Sequence, residues 1–300
     1  MADSRTAGSG QTQDCGGACS SCGVAGCGSR TAGSPDGSSA GEPSKPGFDK
    51  LPTNGRSDVK KVIAVVSGKG GVGKSLACSL LASALARQGK RVAILDADVT
   101  GPSIPKAFGL KQRPVADQDG IIPIETESGI EVISVNLLLP EEDTPVAWRG
   151  PVVTGILNQF WGEVNWGDVD VMLIDMPPGT SDVFLTILQT LPIDGIVTVS
   201  APQELVGMIV GKAVNLAGSM GVPVIGLVEN MAYYECDGCG KRHHVFGDPQ
   251  GDEVARRYGI EATAELPMDP SFARMVEAGD VEGIDATEML RPILDAIERA

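Results

Sequence analysis

A chain of 300 residues with 42% hydrophobic side chains is long enough to bury a large core without disulfide staples, and its aromatic content of 4% is low. Its 39 acidic against 24 basic residues leave a net charge of −15, which argues against a general binder of nucleic acid or anionic membrane, because phosphate contacts need clustered Lys and Arg. No apolar run reaches the roughly 18 residues of a membrane span, and the first residues lack the apolar stretch of a secretory signal; a cytoplasmic protein is expected, whose seven cysteines point to metal or redox chemistry rather than a disulfide framework.

Residues 1–58 are dominated by Gly, Ser, Ala, Thr and Pro. Such a segment cannot bury enough surface to offset its ordering entropy, so a flexible tail is expected, followed by one folded domain over 59–300. Four cysteines lie in the tail, Cys15, Cys19, Cys22 and Cys27, separated by three, two and four residues. Four thiols among freely bending glycine and serine can surround one [4Fe–4S] cluster or a zinc ion, or stay unliganded.

From Val59 onward the pattern alternates between apolar runs and helical periodicity. Residues 61–67 (KVIAVVS) read as a strand buried on both faces, and 75–88 as a helix with apolar residues Leu76, Leu80, Leu81 and Leu85, ended by Gly89. Cys78 on that helix reads as a small buried apolar residue. Further strands are expected at 91–95, 132–135, 169–174, 195–199 and 222–228, with helices at 152–161, 183–189, 204–217, 252–258 and 286–299. This rhythm predicts an α/β fold, a mostly parallel sheet flanked by helices with right-handed crossovers.

Between the first strand and the first helix stands Gly68-Lys69-Gly70-Gly71-Val72-Gly73-Lys74-Ser75, which matches G-x-x-x-x-G-K-S in its required strand–loop–helix context. Its glycines let backbone N–H groups wrap phosphates, with the helix N-terminus adding partial positive charge. Lys74 is expected on the β- and γ-phosphates and the Ser75 hydroxyl on Mg²⁺. Two later strand ends carry carboxylates, Asp96 and Asp98 in V-A-I-L-D-A-D and Asp175 in M-L-I-D, where parallel sheets bind ligands. Asp175 suits an acidic residue near Mg²⁺, followed by a switch glycine at Gly179. Asp96 reads equally well as a helix cap or as a functional group, whereas Asp98 favours function.

The second lysine in the loop, Lys69, gives G-K-G-G-V-G-K-S, which resembles the deviant Walker A loop of the MinD/ParA/nitrogenase-iron-protein class of P-loop ATPases, a SIMIBI-like fold. D-A-D-V-T-G-P-S-I-P (96–105), W-R-G-P (148–151), D-M-P-P-G-T-S-D (175–182) and E-N-M-A-Y-Y-E-C-D-G-C-G (229–240) more narrowly resemble the Mrp/ApbC-type iron–sulfur cluster carrier ATPases. Thr100 stands where that family has tyrosine and Ser181 where it has glycine. The resemblance implies a homodimer in which Lys69 reaches the partner's nucleotide, Asn230 at the adenine edge, Asp98 orienting the attacking water, and slow ATP hydrolysis. It further implies that Cys236 and Cys239 meet their mates from a second subunit around a bridging [4Fe–4S] cluster, passed on to recipient apoproteins.

By themselves Cys236 and Cys239, a C-x-x-C placed on a loop after the 222–228 strand, are half of a Cys₄ shell. The same stretch offers a zinc alternative through His243 and His244, although adjacent histidines seldom both ligate one ion. A positioning ATPase of the MinD/ParA kind is the competing function. It would need a basic DNA surface or a basic amphipathic helix, and the C-terminal R-P-I-L-D-A-I-E-R-A carries too little positive charge for anionic lipid. An electron-transfer iron protein is disfavoured by the paired cysteines.

Overall fold

The computed structural model describes residues 53, 55–98, 103–138, 150–179, 182–202 and 206–300. In chain order the first half contains β1 (Asp58–Val59), β2 (Val62–Ser67), α1 (Lys74–Arg87), β3 (Val92–Asp96), α2 (Ser103–Ala107), β4 (Val115–Asp117), β5 (Gly120–Ile122), β6 (Ile124–Glu125) and β7 (Glu131–Ser134). After a 3₁₀ turn at Val135–Leu138 come α3 (Gly150–Glu163), β8 (Asp168–Val169), β9 (Val171–Asp175), α4 (Asp182–Thr190), β10 (Gly195–Ser200) and α5 (Val206–Ser219). The last part contains β11 (Val224–Glu235), β12 (Arg242–His243), α6 (Gly251–Tyr258), β13 (Ala262–Pro267), α7 (Pro270–Ala278) and α8 (Thr287–Arg299).

One nine-stranded sheet runs β12-β11-β10-β2-β9-β3-β7-β6, with β13 also paired to β11. Its interior pairings are parallel, and the antiparallel ones are β6 with β7 and β11 with β12. This is the expected α/β architecture. The β-branched runs explain it: every residue of β2, β3, β9 and β10 is buried, as strands covered by helices on both faces must be. On one face Leu80, Leu81 and Leu85 of α1 pack with Ile293, Leu294 and Ile297 of α8. On the other, Leu157, Phe160 and Trp161 of α3 pack with Phe184, Ile187 and Leu188 of α4.

Three elements differ from the expectation in ways that matter. Helix α1 is not amphipathic: buried residues run around it, including Ser79 and Ser83, whose hydroxyls donate to the carbonyls of Ser75 and Ser79. The folded part begins before Val59, because Ser57 donates to the Val164 carbonyl and accepts from Trp166 N–H, and β1 pairs with β8. Strand β11 continues seven residues past 228, so the C-x-x-C sits in the turn of a β11–β12 hairpin and not on a free loop.

At the sheet edge Glu131 faces Glu125 across β6 and β7, and its Oε2 is buried without a hydrogen-bond partner. Burial, then the Glu125 charge, push its pKa up to about 7 from 4.5, against a weaker pull from Arg91. A carboxyl raised in the folded state stabilises the fold fully below pH 4.5 and loses that contribution as pH rises through about 7. Replacement by Gln (Glu131→Gln) is therefore expected to flatten the stability profile across this window. At about pH 8 it should raise the unfolding free energy by about 1–2 kcal/mol, discounted for partial exposure, as read by denaturant titration at several pH values.

Candidate functional site

Strand β2 ends at Ser67, and the chain turns through the glycine loop before α1 begins at Lys74. Gly71 and Gly73 adopt φ values of 86° and 87°. A Cβ on Gly73 would lie 2.1 Å from Asn230 Nδ2, and one on Gly68 would lie 1.9 Å from Ile209 Cγ2, so neither position has room for a side chain. Helix α1 starts without a side-chain cap and without an acidic residue in its first turn, which leaves its amides available to an anion.

Lys74 is only 6% exposed. Its Nζ lies 2.7 Å from Asp175 Oδ1 and 3.4 Å from Asp98 Oδ2, and Ser75 Oγ donates to Asp175 Oδ2 at 2.6 Å. Burial by itself would drive the ammonium to lose its proton. Asp175 first, then Asp98 and Asp96, more than offset this and hold the Lys74 pKa above its ordinary value. The structure thus brings together the sequence-predicted Lys74, Ser75, Asp98 and Asp175. Their hydroxyl and carboxylate oxygens are the hard donors that suit Mg²⁺.

Asp96, left open between cap and function, is buried beneath this group. It accepts the Ser134 hydroxyl at 2.7 Å and the Asp98 amide at 3.1 Å, so it fixes the backbone that presents Asp98. Burial, then the neighbouring Asp175 charge, push its pKa well above the ordinary carboxylate value, against the pull of the Ser134 hydroxyl and of Lys74.

A cleft of about 380 Å³ lies over the loop, lined by Gly70, Gly71, Gly73, Lys74, Ser75 and Asp98. Lys106 of α2 also lines it, a residue that motif reading missed. Lys106 is exposed, and its carbonyl accepts from Gly109 N–H at 3.1 Å, while its ammonium makes no ion pair among the described residues. Its helix is pinned where Gly109 meets Gly279 after α7, a contact so close that a Cβ on Gly279 would come within 2.6 Å of Gly109 Cα. The signal in the sequence was a lysine in S-I-P-K-A, just after the D-A-D loop of an acidic chain. Lys69 is exposed, with its carbonyl accepting from Ser67 Oγ. Asn230, 4% exposed, donates Nδ2 to the Val72 carbonyl at 2.9 Å, so its amide sits against the loop.

Cys236 and Cys239 are brought together at the hairpin turn, where the Cys236 carbonyl accepts from Cys239 N–H (3.3 Å) and Gly240 N–H (2.8 Å). Cys239 is exposed and Cys236 half-buried. The amides of Gly238 and Cys239, then the Cys239 thiol, hold the Cys236 pKa below the ordinary thiol value, which favours the thiolate that binds metal. His244 Nδ1 is engaged with the Ala232 carbonyl at 3.0 Å, and among the described residues no group of three or more His, Cys, Asp and Glu side chains is placed to hold a metal ion. The four-ligand zinc set is therefore not assembled within one chain. Beside Cys236 opens a cleft of about 590 Å³, lined in part by Tyr233, Phe272 and Arg242, whose guanidinium lies 4.1 Å from the Tyr233 ring centroid. Cys15, Cys19, Cys22 and Cys27 lie outside the described residues, as do Thr100 and Ser181.

The model of the NUBPL iron-transfer P-loop NTPases, of the ParA group, matches residues 58–298. The chain belongs to this family. An iron–sulfur cluster carrier protein from Clostridium perfringens is 48% identical over 241 residues, 78% of this chain and 84% of that one. Another from Saccharolobus solfataricus is 44% identical over 225 residues, 74% of this chain and 76% of that one. Among solved structures, a nucleotide-binding protein from Archaeoglobus fulgidus in complex with ADP, with cobalt, superposes with a TM-score of 0.69 at 44% identity, covering 75% of this chain and 88% of that chain. The cell-division ATPase MinD from Pyrococcus furiosus shares the fold, with a TM-score of 0.57 at 19% identity over 80% of this chain and 98% of its own. The resemblance seen in the motifs is borne out, and the deviant loop here is that of an iron-transfer P-loop NTPase.

Within this NTPase, Gly73 is the loop position with least latitude. Gly73→Ala is expected to destabilise the fold by about 2 kcal/mol or more, from a strained φ and the collision with Asn230, and to abolish nucleotide binding. Thermal unfolding and a fluorescent-nucleotide titration check the two effects separately.

Proposed function

We propose that this chain is an ATP-binding, slowly hydrolysing carrier that assembles a labile [4Fe–4S] cluster at a homodimer interface and transfers it to recipient apoproteins. The observation that carries this reading is the pairing, in one chain, of a complete P-loop constellation with a C-x-x-C turn whose Cys236 is biased toward thiolate. The carrier names of relatives at 44–48% identity support it.

In this reading the loop amides, Lys74 and Lys106 hold the phosphates. Ser75 and Asp175 would hold Mg²⁺, which supplies charge neutralisation at the β- and γ-phosphates. Asp98 orients a water whose oxygen attacks the γ-phosphorus; the bond from that phosphorus to the β–γ bridging oxygen breaks, and ADP leaves with the bonding pair. Lys74 and the partner's Lys69 stabilise the charge that develops on the transferred group. By the resemblance, Asn230 would contact the base of the nucleotide. The cluster is cargo, held by Cys236 and Cys239 with the same pair from the second subunit, since one chain supplies half of the four thiolates. Cys15, Cys19, Cys22 and Cys27 form a second cluster-holding set in the N-terminal segment 1–58. The net charge of −15 supports a cytoplasmic carrier that binds neither anionic membrane nor nucleic acid, and among the described residues no helix is long and apolar enough to cross a membrane.

The deciding experiment is anaerobic reconstitution with iron and sulfide, followed by metal analysis and the thiolate-to-iron absorption, on wild type and on Cys236→Ala/Cys239→Ala. Iron and sulfide that fall in the double variant are expected, with any remainder assigned to the tail cysteines. Unchanged loading, or zinc in place of iron, sinks the interface cluster. For the nucleotide side, Lys106→Glu is expected to weaken ADP binding about tenfold or more through the reversed charge, with Lys111→Glu, outside the cleft, nearly silent. Lys69→Ala should keep ADP binding and lower the ATPase rate by about 10²-fold.

A further inference from the structure

Strand β11 touches both halves of the site. Glu229, 1% exposed, accepts from Gly251 N–H at 2.7 Å and Gln250 N–H at 3.3 Å, which ties the strand to the start of α6. The next residue, Asn230, grips the Val72 carbonyl. That carbonyl and the Gly73 N–H belong to one planar trans peptide and point in opposite directions. By holding the oxygen from below, Asn230 sets where the Gly73 N–H is aimed, and Gly73 lines the nucleotide cleft. Six residues further along the chain, immediately past the end of β11, stands Cys236.

Between them lies Met231, the one non-glycine residue with positive φ among the described residues, at 57°. The ladder with β13 breaks here: pairing runs through Glu229↔Glu265 and resumes at Tyr233↔Pro267. Beyond the break the strand is fixed again. Met268 N–H donates to the Tyr233 carbonyl at 2.7 Å, Tyr234 and Glu235 pair with His243 and Arg242, and Cys236 N–H donates to the Lys241 carbonyl at 3.0 Å. Two firmly held arms thus meet at a single unusual residue, one arm ending under the P-loop and the other at the cysteine turn. For a methionine the left-handed and extended regions are separate allowed basins, so a change of conformation at this position would be a switch between two arrangements rather than a gradual bend.

We infer that Asn230 and Met231 are positioning residues that couple the P-loop to the C-x-x-C turn, so that a nucleotide engaging the Gly73 peptide repositions Cys236 and Cys239. The inference rests on the nucleotide site proposed above and gives Asn230 a task separate from the adenine contact. A phosphate that draws the Gly73 N–H toward itself rotates the peptide, and the Val72 carbonyl moves against the Asn230 amide. The Glu229 arm is clamped to α6, so the displacement passes into Met231 and on to the distal arm.

The test uses the full chain without iron and follows iodoacetamide alkylation of each cysteine by peptide mass spectrometry, with and without saturating Mg-ADP. In wild type the alkylation rate of Cys236 or Cys239 is expected to change about fivefold or more on adding ADP, a typical size for coupling between sites, while the buried Cys78 stays unreactive. Met231→Gly, which accepts the left-handed and extended conformations alike, should keep ADP binding but lose the ADP-dependent change, because a compliant joint absorbs the motion. Asn230→Ala should reduce both affinity and coupling. Wild-type cysteines indifferent to bound ADP, or a Met231→Gly variant that responds as wild type does, overturn the inference. Because the readout needs no cluster, coupling without iron loading would sink the carrier reading alone, and iron loading without coupling would sink this inference alone.

Discussion

The ammonium of Lys74, carried into the interior at the start of α1, is the constraint around which the rest of the site is organised. A charge in that position is tolerated only with a close, hydrogen-bonded counter-ion, because its desolvation otherwise costs several kcal/mol. Asp175 supplies it, and Asp175 can do so because β9 lies between β2 and β3, with Asp175 beside Val65 on one flank and Asp96 on the other. The strand order is thus what brings loop lysine, hydroxyl and carboxylates to one point. The same crowding explains why the Asp96 carboxyl is pushed upward: three carboxylates share one buried lysine, and Lys74 pairs with Asp175 and Asp98 rather than with Asp96.

Those parts of the molecule whose residues announce one physical task were legible in the sequence. Continuous β-branched runs mark strands buried on both faces, and the glycine loop with its lysine and serine is dictated by phosphate geometry. Alanine-rich β13, A-T-A-E-L-P, was not legible, because alanine has little strand preference and the segment is held by pairing with β11. Helix α7 was missed although Asp269 caps it, accepting from Ser271 N–H, with Pro270 in its first turn; the sequence shows the start, but its one buried side chain, Phe272, leaves little periodicity to read. Helix α1 misled in the opposite sense. Its leucines have amphipathic spacing, yet alanine and serine fill the other face because a helix wedged between sheet and α8 has no solvent side.

The cysteine turn shows how a motif can be recognised while the element that carries it is misplaced. C-x-x-C with glycine at the third position predicts a tight turn whichever element precedes it. Whether that turn ends a loop or closes a hairpin depends on β11 crossing the break at Met231, where the register with β13 is lost and regained. No local preference foretells a left-handed methionine; it is imposed by the fixed arms on either side.

The net charge of −15 and an anion-binding cleft are reconciled by where the cations stand. Lys74 is largely consumed by Asp175 and Asp98, so the loop relies on backbone amides aligned by Gly71 and Gly73 and on exposed lysines at its rim. Amide donors carry no net charge and lose little to screening, and they act only at contact distance. The acidic surface repels bare polyphosphate, and Ser75 with Asp175 presents oxygens rather than cations to what enters. Under the function proposed above, such a cleft is expected to favour a nucleotide already partly neutralised by a divalent cation, a preference that a more basic protein with the same loop would lack.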